Sequence, residues 1–157
     1  MLKLAGAALV IIASIGIGLV MSDSLRSRLR SVEALAGFVD FISMNIQLYR
    51  TPLEDIYKSF DDKYLAEKEF TQKLNSGVYS AARNSGLLRG DEEDDIIRAF
   101  SEKIGRGSAD DMVKLCSYTC VRLRNIEDKL RKELPDKQRV YRTISALAGA
   151  SVVIMLI

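Results

Sequence analysis

Charged and apolar residues are strongly segregated along this chain. No Lys, Arg, Asp or Glu occurs in residues 4–22 or 143–157, and nearly all of them lie between these two runs. A helix rises about 1.5 Å per residue, so roughly 20 apolar residues cross about 30 Å of hydrocarbon. The first run therefore predicts a transmembrane helix within residues 1–22. The second, shorter run predicts another within residues 143–157.

Each of the two predicted spans has an alternative interpretation. The first could be a cleaved signal peptide, because Lys3 precedes an apolar run that contains small residues. The length of the run, the lack of a following A-x-A pattern and the basic residues after it favour a retained span. The second could be a buried core helix. Its basic flank and Tyr141, a residue suited to the membrane interface, favour a span.

Basic residues flank the middle segment on both sides. Three follow the first span and three precede the second: Arg26, Arg28, Arg30, Lys137, Arg139 and Arg142. Such residues near span ends mark the cytoplasmic side of a membrane. The sequence therefore predicts a cytoplasmic domain of residues 23–142 with both termini outside. These side chains could also contact anionic head groups. Those head groups are in the cytoplasmic leaflet, so this interpretation gives the same orientation.

Apolar residues of the middle segment recur at steps of three and four, the period of one helical face. One stripe continues directly from the first span: Leu25, Leu29, Val32, Leu35, Val39, Ile42, Ile46 and Tyr49. It predicts a single long helix that leaves the membrane. Residues 51–54 then predict a capping box with Thr51 as the cap and Pro52 as the first helical residue.

The remaining segment predicts three further helical stretches. The next stripe predicts one helix that ends near Gly86: Leu65, Phe70, Leu74, Val78 and Ala81. Another helix is expected after Gly90, with a stop at Gly105 and Gly107. A last one begins near Ser108 and is broken or kinked at Pro135. No strand-like alternation is present, so the sequence predicts an all-α bundle of about six helices flanked by the two transmembrane helices.

Composition argues against catalysis and against nucleic acid as a ligand. The chain has no histidine, and no nucleophile stands in a recognisable pattern with a base. Its two cysteines, Cys116 and Cys120, lack a second ligand pair for zinc and are expected in the core. A formal charge of +2 is too small to indicate a nucleic-acid surface. We therefore expect no enzyme activity, no catalytic residues, no metal and no cofactor.

One acidic run stands out, and it comprises Asp91, Glu92, Glu93, Asp94 and Asp95. Five successive carboxylates on a helix point around its axis and cannot converge on one ion. One interpretation is a solvated first turn, where the helix dipole favours negative charge. The other is a docking patch for a basic protein partner.

Several short segments resemble the stage III sporulation protein AB family. They are residues 1–6, the tripeptide at 51–53, residues 100–105 with Asp110 or Asp111, and the closing apolar helix at 140–157. Their order and the chain length also match. Met112 and Val113 stand where this family would have a glutamine, so no role is transferred to that helix start.

The resemblance implies a membrane complex between mother cell and forespore in an endospore-forming bacterium. The domain would be similar to the six-helix cytoplasmic domains of the type II secretion inner-membrane platform protein. The chain would then be an adaptor in the outer forespore membrane, on the mother-cell side. Its partners would be the AA ATPase and other membrane proteins of the same operon, with homo-oligomerisation left open. The alternative is a membrane-bound helical regulator or sensor that binds a signalling partner.

Overall fold

The computed structural model describes the backbone of residues 2–156 and the side chains of residues 23–136, 139, 140, 143 and 147. The chain divides into two compact units. One is Arg28–Asp128, hereafter the bundle unit, and the other joins Met1–Ser27 with Lys129–Ile157. The described backbone forms seven α-helices and one 3-10 turn, without a strand. The predicted all-α class is therefore confirmed, with seven helices rather than about six.

The helices follow one another with short connections. Their bounds are α1 Leu2–Tyr49, α2 Leu53–Ser59, α3 Lys63–Glu67, α4 Phe70–Lys73, the 3-10 turn Leu74–Ser76, α5 Val78–Asn84, α6 Asp91–Lys103 and α7 Ala109–Leu156. The two long helices, α1 and α7, contribute to both units, and α2 to α6 lie wholly in the bundle unit.

The core of the bundle unit forms around α1. The side chains of Leu35, Val39 and Ile42 are fully buried, as their spacing predicts. Phe38 lies at the centre of an aromatic cluster, with its ring centroid 5.0 Å from Phe60 and 5.1 Å from Phe70, both edge to face. Edge-to-face rings add to the stabilisation that burial alone gives. The cluster therefore packs α4, through Phe70, and the end of α2, through the next residue Phe60, against α1.

The stretch from residue 63 to residue 84 is not the single helix that its apolar stripe predicts. It consists of α3, α4, the 3-10 turn and α5. Glu69 has φ 57° and Gly77 has φ 95°, and neither value allows an α-helix to continue. All five predicted apolar residues are nevertheless buried. The spacing of apolar residues indicates which of them face the core. Several short helices joined by sharp turns can bury those residues as well as one long helix can.

Two predicted helix boundaries need correction. No side chain caps α2: Pro52 precedes its first residue, Leu53, and the Pro52 carbonyl accepts from Asp55 and Ile56 N–H at 3.1 Å. The predicted capping box with Thr51 is therefore wrong. Helix α7 continues past Pro135 to Leu156, so of the predicted break or kink at that proline, the break is wrong. An interior proline removes one backbone hydrogen bond and crowds the carbonyl four residues earlier, a local cost that does not end α7 here.

The predicted transmembrane helices, residues 1–22 and 143–157, largely lie outside the residues whose side chains the structure describes. The backbone of residues 2–22 belongs to α1, which begins at Leu2. The backbone of residues 143–156 belongs to α7, which ends at Leu156. Among the described residues, no helix combines the length and apolar character that a membrane crossing needs. Both spans stay predictions.

Candidate functional site

The acidic helix α6 meets α1 through a bidentate ion pair. Arg28 Nε donates to Glu93 Oε1 and Arg28 Nη2 to Glu93 Oε2, each at 2.8 Å. The Glu93 side chain is fully buried, whereas that of Arg28 is 28% exposed. Parallel N–H···O bonds of this kind are strong and fix the orientation of both groups. The pair therefore fixes the position of the first turn of α6 relative to α1, although the two residues are 65 positions apart in the sequence.

Gly90 makes room for this pair. It immediately precedes α6, and a Cβ atom there would overlap the Arg28 guanidinium and lie 2.8 Å from Glu93 Oε2. The backbone at Gly90 is extended, with φ −137°, so the absence of a side chain matters here for space and not for conformation. Only glycine lets the guanidinium approach the helix start this closely.

The electrostatics of Glu93 balance two opposing effects. Burial raises the pKa of the carboxyl group. Hydrogen bonds from Arg28 and from the backbone N–H groups of Glu93 and Gly90, together with the Arg28 charge, outweigh it and hold the pKa below the ordinary value. Glu93 is thus ionised at neutral pH in a position closed to water. Removing one member of such a pair costs about 3–5 kcal/mol, because the other charge stays buried alone.

The next carboxylate, Asp94, belongs to a second cluster that joins α5 to α6. Tyr79 Oη donates to Asp94 Oδ2 at 3.2 Å, and Arg83 Nη1 donates to Tyr79 Oη at 2.8 Å. Arg98 pairs with Asp94 and also stacks 5.5 Å from the centroid of the Tyr79 ring. The hydrogen bond from Arg98 is the main cause that lowers the pKa of Asp94. Asp94 is therefore half-buried and engaged within the chain.

The structure divides the acidic run that the sequence singles out. Asp91, Glu92 and Asp95 are exposed on the solvent side of α6, whereas Glu93 is buried and Asp94 half-buried. The expectation of a uniformly solvated first turn is therefore wrong for Glu93. A signal for this was present: Glu93 precedes Ile96, Ile97 and Phe100 by three, four and seven residues, so it lies on the apolar stripe of α6.

The basic residues predicted to flank the membrane have different surroundings. Arg26, Arg30 and Arg139 are exposed, while Arg28 turns inward to Glu93. The side chains of Lys137 and Arg142 lie outside the described residues. Of the three basic residues after the first predicted span, two are therefore exposed to solvent.

The two cysteines are core residues, as predicted. Both are buried and unbridged, and Cys120 Sγ donates to the Ala36 carbonyl of α1 at 3.3 Å. Burial, with a smaller contribution from Cys120, raises the pKa of Cys116 to about 12. Burial, with a smaller contribution from Asp40, raises that of Cys120 to about 11. Thiols with such values are almost fully protonated at neutral pH, so neither is a nucleophile.

Among the residues that the structure describes, no three His, Cys, Asp or Glu side chains are grouped to hold a metal ion. A separate feature of the bundle unit is the acidic face of α6, which is formed by Asp91, Glu92, Asp95 and, two turns further, the exposed Glu102. Surfaces of this type act by attracting a protein of opposite charge.

The chain matches the family model described as stage III sporulation protein AB. It aligns in two overlapping segments, residues 3–73 and 63–157, which together span nearly the whole chain. No curated protein and no solved structure matches the chain.

Proposed function

As the chain belongs to the stage III sporulation protein AB family and so has a role in stage III of sporulation, we propose that it is a non-enzymatic adaptor. In this role it couples a cytoplasmic secretion-type ATPase, the AA protein of the same operon, to the channel between mother cell and forespore. The match to the family model over nearly the whole chain carries the proposal.

The proposed location is the outer forespore membrane, with the bundle unit in the mother-cell cytoplasm and both termini on the other side. The basic residues that flank the middle segment support this orientation. A reporter that is active only outside the cytoplasm should be active when fused after Ile157 and silent when inserted near Gly90. The opposite pattern would reverse the orientation and make contact with a cytoplasmic ATPase impossible.

The acidic face of α6 is the proposed docking surface for the ATPase. Glu93 is buried and Asp94 half-buried, whereas Asp91, Glu92 and Asp95 are exposed at the start of the helix, where Asp95 lies 3.7 Å from the Arg98 guanidinium. Exposed charges act over about 8 Å at physiological salt, and they set association rate and orientation more than final affinity. A basic surface on the ATPase would complement them.

The test is binding of the full-length protein, in detergent, to the purified AA ATPase at low and high salt. The variant carries Asp91→Lys, Glu92→Lys and Asp95→Lys together. We expect its association rate to fall at least about tenfold at low salt and the difference to shrink at high salt. Its helical content should be retained, with a loss of about 0.3–1 kcal/mol for each charge reversed near the helix dipole.

A matched control reverses three exposed carboxylates elsewhere in the bundle unit, Glu54, Asp61 and Glu67. It changes the net charge by the same amount, so an equal loss of binding in both variants would indicate a nonspecific effect of charge. A parent protein that does not bind the ATPase at all would contradict the adaptor proposal itself. Binding that is unaffected by the α6 variant would move the docking surface away from this helix.

A further inference from the structure

The first turn of α6, residues 91–94, depends on few side chains for its attachment to the bundle unit. Glu93 is its one fully buried residue, and Asp94 is half-buried. The apolar residues that pack α6 into the core all follow this turn: Ile96, Ile97 and Phe100. The first N–H groups of a helix also lack intrahelical acceptors, so helix ends open more readily than helix centres. What fixes the first turn is therefore a separate question from what fixes the rest of α6.

The Glu93 carboxylate caps this turn. It accepts hydrogen bonds from the backbone N–H groups of Gly90 and of Glu93 itself. A glutamate at the third helical position makes the first of these bonds in a capping box, but the reciprocal bond needs a side chain on the residue before the helix, and glycine has none. The cap of α6 is therefore one-sided, and it depends on the position of a single carboxylate.

Arg28 of α1 holds that carboxylate in place. Its guanidinium binds both oxygens of Glu93, each at 2.8 Å. Two parallel bonds fix the orientation of a carboxylate, whereas an ammonium group cannot form this planar arrangement. A buried ion pair is often no more stabilising than a well-packed apolar pair. What the ion pair adds is direction, and the direction of the Glu93 carboxylate is what the cap requires.

A second contact competes for the same role. Tyr79 of α5 donates from Oη to Asp94 Oδ2 at 3.2 Å, so α5 also touches the first turn. Arg98 pairs with Asp94 as well, but it belongs to α6 and cannot attach that helix to another one. The Tyr79 bond is a single, longer one to a half-buried carboxylate. Arg28 therefore provides the stronger attachment, and Tyr79 is the natural comparison.

We propose that Arg28 is a positioning residue for the acidic face of α6. While it binds Glu93, the first turn stays helical and holds Asp91 and Glu92 in fixed positions on the surface. A shift of α1 that separates Arg28 from Glu93 unfolds this turn and disperses the charges. As α1 begins at Leu2, outside the bundle unit, the acidic face then responds to a helix that extends beyond that unit. The link to ATPase binding, and only this link, rests on the proposed function.

Hydrogen exchange of the backbone amides, resolved by residue in the full-length protein in detergent, tests the proposal. The reporters are the N–H groups of Asp94, Asp95 and Ile96, which in a helix donate to the carbonyls of residues 90–92; the first of these bonds measures 3.2 Å. The variant is Arg28→Lys, which keeps the charge but not the paired bonds. We expect the three amides to exchange at least about tenfold faster than in the parent.

Two other amides of the bundle unit give the internal reference. The amide of Phe100 lies further along α6, and that of Met112 donates to the Ser108 carbonyl at 3.0 Å at the start of α7. Both should exchange as in the parent, because neither depends on the cap of α6. Equal acceleration of all these amides would overturn the proposal, since Arg28 would then only support overall stability. Unchanged exchange at residues 94–96 would overturn it as well.

Two further variants serve as controls. Arg30→Lys changes an exposed neighbour of Arg28, and Tyr79→Phe removes the hydroxyl that reaches Asp94. Each should change the exchange rates at residues 94–96 by less than about twofold. A larger effect of Tyr79→Phe than of Arg28→Lys would place the attachment on α5 and overturn the proposal. The measurement needs no ATPase, so failure of this proposal and failure of the adaptor proposal are distinguishable.

Discussion

Helices α6 and α7 begin with similar sequences but are fixed by different interactions. Both follow a turn with glycine, and both have an acidic residue at the third helical position, Glu93 in α6 and Asp111 in α7. Asp111 stays exposed and accepts hydrogen bonds from Ser108 N–H at 3.2 Å and Ser108 Oγ at 2.7 Å. Glu93 also accepts a hydrogen bond from the Gly90 N–H at its helix start, but in addition it is buried against Arg28 of another helix. A carboxylate at the same helical position can therefore serve a local cap alone or a long-range tertiary contact as well.

Residues next to one another in the chain fix the start of α7. The Ser108 hydroxyl accepts from Asp111 N–H at 3.2 Å, which completes a reciprocal cap, and Gly105 and Gly107 before it have φ 83° and 98°. Helix α6 has no side chain that caps it from Gly90. Its start depends on the bundle unit around it, whereas the start of α7 is encoded within four residues.

The largest effect should follow from breaking the long-range contact. Arg28→Ala leaves the Glu93 carboxylate buried without its cation, and we expect a loss of about 3–5 kcal/mol in the free energy of unfolding. Denaturant unfolding of the full-length protein in detergent measures it. Arg30→Ala, an exposed neighbour, is the control and should change stability by less than about 0.5 kcal/mol. Equal losses for the two variants would contradict the buried pair.

A smaller loss should follow from filling the space at Gly90. The added methyl group of Gly90→Ala meets the Arg28 guanidinium, and we expect a loss of about 1–3 kcal/mol from the forced shift. Arg28→Ala removes the obstructing side chain. Gly90→Ala should therefore lower the free energy of unfolding by a smaller amount in the Arg28→Ala background than in the parent. Additive losses in the double variant would show that the two residues do not meet.

The local cap of α7 should matter less. Ser108→Ala removes the acceptor for Asp111 N–H, and such cap losses are typically about 1 kcal/mol. Ser108→Asp keeps a side-chain oxygen that can accept from the Asp111 N–H. It is the control and should lose less stability than Ser108→Ala. A loss as large as that of Arg28→Ala would contradict the difference between the two helix starts.

The pH dependence of stability should separate the same two carboxylates. The pKa of Glu93 lies below the ordinary Glu value of 4.5, so its stabilisation is complete above that value and is lost as the pH falls through the lower folded pKa. The pKa of Asp111 is lowered mainly by the Ser108 hydroxyl, and the same sign applies. The free energy of unfolding of the parent should fall as the pH is lowered. Glu93→Gln should reduce this pH dependence more than Asp111→Asn does, because only Glu93 is buried. Unfolding followed between pH 7 and pH 3 measures both slopes.

Sequence patterns predicted the parts of the fold that local information determines. The stripe through Leu35 and Val39 identified the core face of α1, and Gly105 with Ser108 located the boundary between α6 and α7. The turns at Glu69 and Gly77 were missed, because apolar spacing does not distinguish one helix from several short ones.

The acidic run shows why the candidate site could be predicted only in part. Its position at the start of a helix was clear from the sequence. The division between buried and exposed carboxylates depends on Arg28, which is 65 residues away from Glu93 and was assigned to the membrane flank. A contact between distant helices leaves no local signature beyond the place of Glu93 on the apolar stripe, so only the structure reveals it.

The most direct test compares charge reversal at two adjacent residues, Glu92→Lys and Glu93→Lys, by thermal unfolding of the full-length protein in detergent. Glu92 is exposed and Glu93 is fully buried. We expect Glu92→Lys to unfold within about 1 kcal/mol of the parent. Glu93→Lys places two cations together in the core and should abolish the cooperative transition of the bundle unit. Equal unfolding of the two variants would contradict the division of α6 into a buried anchor and an exposed acidic face.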